Sequence, residues 1–231
     1  MSDAGTIRLN KFLAERIGVS RREADDLIAA GRVTVNGTPA TLGAHIDKSS
    51  KVCYNNRTIP FDTSYLYIAF NKPVGYVCSR RAQGPAPTLY DILPAEYRHL
   101  KTVGRLDKDS SGLILLTNDG DFAYQMTHPK FRKTKIYQVQ LDRPLEPLHQ
   151  QMISDYGVML DDGPSKFTVI RDDDSDPASP HYTVVLTEGR NRQIRRTFAA
   201  LGYRVTVLHR TEFGPYRLSG LKPGECAIIK V

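Results

Sequence analysis

The sequence predicts an α+β chain of two domains, a small α/β domain over residues 1–60 and a larger one over residues 61–231. Three observations carry this. The first segment reads as two short helices and a hairpin. Pro60-Phe61-Asp62-Thr63-Ser64 then reads as a linker. Beyond it, strands come in neighbouring runs with a few helices interspersed, which favours α+β over a regular doubly wound sheet.

The elements follow in order. Leu9, Phe12, Leu13 and Ile17 recur at helical spacing, and Gly18 ends that helix. Ser20-Arg21-Arg22-Glu23 has the form of a capping box, opening a helix that shows Ala24, Leu27 and Ile28 on one face and stops at Gly31. Val33–Val35 alternates as a strand into the tight-turn pair Asn36-Gly37, and another strand is expected at Lys51–Tyr54. After the linker come strand candidates at Tyr65–Phe70, Thr102–Leu106, Leu113–Thr117, Ile136–Leu141, Phe167–Arg171, Tyr182–Thr187, Arg204–Leu208 and Ala227–Ile229. Helices fit Thr88–Leu93, Asp121–Thr127, Leu145–Asp155 and Asn191–Leu201. The acidic stretch Asp172–Asp176 reads as a solvated hairpin loop.

Composition narrows the function. The net charge of +7 favours a polyanionic partner, and the charge is concentrated. Residues 186–217 hold Arg190, Arg192, Arg195, Arg196, Arg204, Arg210 and Arg217 against Glu188 and Glu212. Residues 128–143 add Lys130, Arg132, Lys133, Lys135 and Arg143. Arginine predominates, and its planar fork suits phosphate. The three cysteines, Cys53, Cys78 and Cys226, are far apart, and the six histidines are scattered. Neither a disulfide framework nor zinc spacing is present, so metal-free chemistry is expected. No apolar run approaches a membrane span, and the N-terminus lacks a signal-peptide pattern, so a cytoplasmic protein is expected.

In Gly104-Arg105-Leu106-Asp107 a strand is expected to deliver a carboxylate into the polar turn Lys108–Gly112. A fixed scaffold presents a nucleophile well at such a point. Alone, the motif reads more readily as a turn aspartate bonding its own backbone.

Context adds to it. The motif resembles the active-site signature of the RsuA and RluA families of pseudouridine synthases. Asn71-Lys72-Pro73-Val74-Gly75, the run Gly112–Gly120, Lys135-Ile136-Tyr137, the run Glu188–Arg196 and Phe213-Gly214 resemble the RsuA family in order. Residues 7 to about 50 look like an S4 RNA-binding domain. The resemblance implies a mainly antiparallel mixed sheet with flanking helices, and isomerisation of a uridine in ribosomal RNA to pseudouridine after the base is flipped out. Asp107 then corresponds to the nucleophile and Tyr137 to the tyrosine that stacks on the uracil. Arg195 corresponds to the basic residue paired with the aspartate. Attack on the sugar and attack on the ring both remain open.

Arg105, Arg190 and Arg192 are expected at RNA phosphates, and so are Arg8, Lys11, Arg21, Arg22 and Arg32 in the first domain. Asp109 is the nearest alternative carboxylate to Asp107. Arg192 stands where many small-subunit relatives have histidine, which leans towards the large subunit. The basic C-terminal extension of several large-subunit relatives has no counterpart before Val231. The expected partner is ribosomal RNA or an assembling ribosomal particle. The chain is expected to act as a monomer, without a membrane, metal or small-molecule cofactor. The rival reading is a non-catalytic RNA-binding or assembly factor on the same fold, against which the set Asp107, Tyr137 and Arg195 argues. A methyltransferase or synthetase would need nucleotide-binding loops that the sequence does not show.

Overall fold

In the computed structural model the described residues are all but 1–4, 63, 81–83 and 174. Met1–Ala4 of the N-terminus, Thr63 of the linker and Asp174 of the acidic stretch therefore lie outside them. The chain divides into two units. One comprises Met1–Leu66 with His99–Lys101 and Thr117–Gly120; the other comprises Tyr67–Arg98, Thr102–Leu116 and Asp121–Val231.

The first unit contains β1 (Ile7–Arg8), α1 (Leu9–Arg16), α2 (Arg21–Ala29), β2 (Val33–Val35), β3 (Thr38–Pro39), β4 (His45–Ile46), β5 (Val52–Tyr54) and β6 (Arg57–Ile59). The helical spacing puts Leu9, Phe12 and Leu13 of α1 in one core with Ala24 and Ile28 of α2, and Val33, Val52 and Ile59 of the sheet complete it. The capping box forms as expected: Glu23 N–H donates to the Ser20 hydroxyl at 3.1 Å, and Ser20 N–H to the Glu23 carboxylate at 2.7 Å. The sheet runs β3-β2-β5-β6, antiparallel throughout. Asn36 (φ 52°) and Gly37 (φ 85°) make its first turn, both in the left-handed region that such hairpins require.

In the second unit the large sheet has the order β13-β14-β10-β15-β9-β7-β17. Its strands are β7 (Tyr67–Lys72), β9 (Ser111–Thr117), β10 (Lys135–Leu141), β13 (Thr168–Arg171), β14 (His181–Leu186), β15 (Val205–Phe213) and β17 (Cys226–Ile228). The pairings β13–β14, β14–β10, β10–β15 and β17–β7 are antiparallel, and β15–β9 is parallel. The sheet is thus mixed and mainly antiparallel. Short β8 (Lys101–Val103) pairs with β9, and β16 (Tyr216–Arg217) with β15. Helices α3 (Gly120–Thr127), α4 (Pro147–Gln151) and α5 (Gln193–Ala200) flank it, and β11 (Val158–Leu160) and β12 (Gly163–Ser165) form a separate hairpin. Phe122 and Met126 of α3 pack on Val103, Leu113, Leu115 and Phe213.

Several boundaries differ from the sequence reading. Thr88–Leu93 is one 3-10 turn, Leu89–Asp91, closed by its own Thr88–Asp91 cap ahead of Pro94. The strand expected at Thr102–Leu106 ends at Val103, because Gly104 turns the chain at φ 73°. The strand expected at Arg204–Leu208 runs on to Phe213. Among the described residues no helix is long and apolar enough to cross a membrane.

Candidate active site

A concave pocket of about 290 Å³ opens in the second unit. The segment Gly104–Asp107, the start of β10, the run leading into α5 and the end of β15 line it. That volume is near the lower end of the range for small-molecule sites, ~300–1,000 Å³.

Asp107 sits not on a strand but in an irregular segment tied down on both sides. The Leu106 N–H donates to the Cys78 sulfur at 3.4 Å, and the Cys78 thiol donates back to the Leu106 carbonyl at 3.3 Å. The Gly75 N–H donates to the Lys108 carbonyl at 2.7 Å. Lys72, fully buried, donates from Nζ to the Ser110 and Pro73 carbonyls at 2.6 and 3.0 Å. Burial pushes its ammonium below the usual lysine range, and the charges on Asp107 and Asp109 push back. The Asp107 side chain remains about one-third exposed.

The arginines are arranged differently from the sequence reading. Arg195 was expected to pair with Asp107. Its Nη2 instead donates to the Asp109 carbonyl at 2.7 Å and its Nη1 to the Val205 carbonyl at 2.9 Å. Its Nε lies 3.3 Å from the Asp109 carboxylate, near enough for attraction but without an aligned N–H. The guanidinium beside Asp107 belongs to Arg192, with Nη1 3.6 Å from Oδ2. The reason is backbone geometry. Arg192 caps α5 in the left-handed region (φ 46°), which turns its side chain towards the aspartates, whereas Arg195 lies almost one turn further along. Arg192 also grips Asp109 with two bonds of 2.8 Å. These bonds hold the Asp109 carboxyl below the usual carboxylate range. Asp109 is therefore a hub for two arginines rather than a spare carboxylate.

Tyr137 is buried at 8% exposure on β10 and lines the pocket. It faces Arg210 of β15 across a register shift that leaves Thr211 without an opposite residue. This β-bulge changes the phase of β15. Leu208, Arg210 and Phe213 share the buried side, where strict alternation would have put Glu212. Lys135, two residues before Tyr137, donates to the Lys133 and Glu188 carbonyls at 3.3 Å. Burial, aided by the Arg210 charge, pushes it down to about 8.

Of the expected phosphate contacts, Arg105 is exposed and lines the pocket, as does Arg192. Arg190 lines the pocket too. It bonds the Asp162 carboxylate at 2.9 Å and the carbonyls of Asp162, Gly163 and Pro164, so it latches the β11–β12 hairpin. Arg196 reinforces that latch through Asp161 and Asp162. In the first unit Arg8, Arg21, Arg22 and Arg32 are exposed, and Lys11 is half-buried 4.0 Å from Glu15. Sequence reasoning missed Cys78, the hub role of Asp109 and the buried Arg210. Lys72 and Lys135 lay in motifs already singled out, whereas nothing about an isolated cysteine signalled Cys78.

Known proteins resemble this chain over most of its length. Residues 66–200 match the family described as RNA pseudouridylate synthase, and residues 7–52 match the S4 domain. The chain is 37% identical over 218 residues to the ribosomal small subunit pseudouridine synthase A of Pasteurella multocida, covering 92% of this chain and 90% of that one. It is also 37% identical over 224 residues to the ribosomal large subunit pseudouridine synthase B of Pseudomonas aeruginosa, where it covers 92% of this chain but 56% of that longer protein. A crystal structure of a pseudouridylate synthase superposes with a TM-score of 0.68 at 30% identity, over 97% of this chain and 96% of that one.

Proposed function

The chain belongs to the RNA pseudouridylate synthase family and carries an S4 domain, and we propose that it isomerises a uridine of ribosomal RNA with Asp107 as the nucleophile. The observation that supports this assignment is that Asp107 and Tyr137 meet in one pocket whose rim is cationic.

In this reading the target uridine leaves its stack and enters the pocket. Tyr137 offers its ring to the uracil and its hydroxyl to the proton at carbon 5. Arg192 stands beside the Asp107 carboxylate and favours its ionised form, which is the form that attacks. Arg195 acts on the same segment from the other side, through the Asp109 carbonyl, and fixes where Asp107 points. Arg105 and Arg192 take flanking phosphates at the rim. Residues 1–60, with Arg8, Lys11, Arg21, Arg22 and Arg32, supply sequence-independent grip on the RNA, and residues 61–231 supply the chemistry. We assign the large-subunit RNA as the first target to test, through Arg192, and a monomer acting in the cytoplasm on RNA or an assembling particle.

The test is Asp107→Asn. It keeps size and most hydrogen-bonding capacity but removes the ionisable nucleophile. Tritium release from carbon-5-labelled uridine in ribosomal RNA should fall to background, with RNA affinity within a few-fold of the parent. Release at the parental rate would remove Asp107 from the role. Mapping pseudouridines in ribosomal RNA from cells with and without the gene then identifies the subunit.

A further inference from the structure

The pocket floor holds a cation that the mechanism above leaves unused. Arg210 is 2% exposed. Its Nε donates to the Leu113 carbonyl at 2.7 Å, and its guanidinium carbon lies 4.8 Å from the centre of the Phe213 ring. Its Nη2 is buried and has no hydrogen-bond partner among the described residues. No carboxylate pairs with it among them either. A buried donor left unmade costs about 1–3 kcal/mol, and more when it is charged. A chain that keeps such a group in the lining of a pocket has a use for it once the pocket is filled.

Its position is fixed by backbone, not by chance packing. Gly112 of β9 lies directly opposite Arg210 in the parallel pairing. A Cβ on Gly112 would fall 2.2 Å from the Arg210 carbonyl oxygen, so only glycine permits this approach. On its other side Arg210 faces Tyr137. The base that stacks on Tyr137 is therefore the nearest ligand. Phosphates have hydrated cations at the rim, Arg105 and Arg192, and no reason to enter a floor shared with Leu208 and Phe213.

We propose that Arg210 donates from Nη2 to a carbonyl oxygen of the uracil and stabilises the negative charge the ring acquires during isomerisation. When the bond between the sugar C1′ and the uracil N1 breaks, its electron pair stays on the uracil. On the sugar-attack route, which we take of the two left open, the charge spreads over N1 and the two carbonyl oxygens as C1′ bonds to the Asp107 carboxylate. After the ring turns, C5 attacks C1′ and the carboxylate leaves. The proton lost from C5 is matched by one gained at N1, so substrate and product are isomers. A fixed donor at the carbonyl lowers the barrier to the first step, as oxyanion donors do elsewhere. This rests on the isomerisation and on the Asp107 assignment above.

The test pairs a protein change with a substrate change. Arg210→Met removes the charge and keeps an apolar stem. It should melt at or above the parental temperature, because an unpaired buried charge is gone. It should bind RNA within about three-fold and turn over on the order of 100-fold more slowly in a single turnover followed by nucleoside chromatography. Transcripts of both ribosomal RNAs are then made with 2-thiouridine or 4-thiouridine in place of uridine, because sulfur accepts a hydrogen bond less well than oxygen. The parent should slow on one of them, and in Arg210→Met that oxygen-to-sulfur ratio should collapse towards one. A variant rate within three-fold of the parent overturns the proposal, and so does an unchanged ratio. If Arg210→Met does not fold, Arg210→Lys decides by the same ratio: a reduced ratio supports the proposal and a parental ratio overturns it. A parent that converts uridine in neither RNA sinks the isomerisation itself, and a parent that converts it while Asp107→Asn does so equally well sinks only the nucleophile.

Discussion

Two sets of arginines, one in each unit, are held in opposite ways. In the first, Arg8, Arg21, Arg22 and Arg32 stand exposed, with no ion pair among the described residues. In the second, Arg190, Arg192 and Arg196 are each bonded to a carboxylate, Arg195 is held by two carbonyls, and Arg210 by one. A free guanidinium keeps its rotamers and its hydration. It attracts phosphate wherever phosphate comes near, and its contribution falls with salt. A tethered guanidinium has given up that freedom before RNA arrives. It contributes little non-specific affinity, but it holds a reacting group or a base at a set distance. The same residue type is thus suited to capture in one set and to geometry in the other.

Breaking the tethered set at its hub should have the largest effect. Asp109→Asn removes the carboxylate that holds Arg192 by two bonds and lies beside Arg195. The expected loss in single-turnover rate is about 10- to 100-fold, from misplacement rather than lost chemistry. RNA affinity, measured by filter binding, should be unchanged or slightly higher, since a negative charge near phosphate is gone. A parental rate would mean that the tethering does not matter.

A smaller effect separates tethered from free cations by pH. Lys135 is pushed down to about 8, so it is charged below that pH and neutral above it. RNA affinity should therefore fall a few-fold between pH 7 and pH 9, and binding above pH 8 should take up a proton, detectable as a buffer-dependent heat. Lys135→Met should flatten both, whereas removing an exposed arginine should not. The stability consequence has the opposite sign. Between about 8 and the ordinary 10.5 the unfolded chain binds the extra proton, so this residue's contribution to stability rises with pH through that window. A melting temperature that fell through the window because of Lys135, judged against Lys135→Met, would contradict the assignment.

The smallest effect belongs to the free set. Arg21→Ala with Arg22→Ala should weaken RNA binding several-fold and lower the slope of log affinity against log salt by roughly one for each phosphate no longer neutralised. The rate at saturating RNA and the melting temperature should not move. A large rate effect would show that these arginines are not merely capture residues.

How much of this was legible follows from the kind of signal each feature leaves. The capping box at Ser20 and the turn at Asn36-Gly37 are local, and local chemistry decides them. The β5–β6 turn, Asn55 (φ 46°) followed by Asn56 (φ 63°), has a similar shape without the glycine that makes such turns conspicuous. The pocket was legible through Asp107 and Tyr137 because each lies in a recognisable run. The pairing of the arginines was not. Whether Arg192 or Arg195 faces Asp107 depends on one left-handed dihedral at position 192, which no propensity anticipates. That Arg190 also latches the β11–β12 hairpin was not legible, because that hairpin is too short to leave a pattern. Arg210 looked like one more surface arginine, because the expected strand stopped at Leu208 and alternation from Val205 gives no hint of the extra residues at Thr206 and Thr211.

The extra residue at Thr211, which sets the phase of Phe213, makes the pocket floor a matter of counting as well as of chemistry. Substitutions at positions 208, 210 or 213 change what lines the site while leaving the frame of the strand intact. Removal of Thr211 alone would leave Arg210, Glu212 and Phe213 opposite Tyr137, Ile136 and Lys135 in regular alternation, whereas removal of His209 would throw Leu208 and Arg210 out of phase with each other. A pocket built this way is free to explore new side chains one at a time and to lose the bulge residue, but is closed to a change of length in the regular part of β15. Variation in what the pocket accepts is therefore expected from point changes and from the surrounding loops, with the regular part of this strand held at constant length.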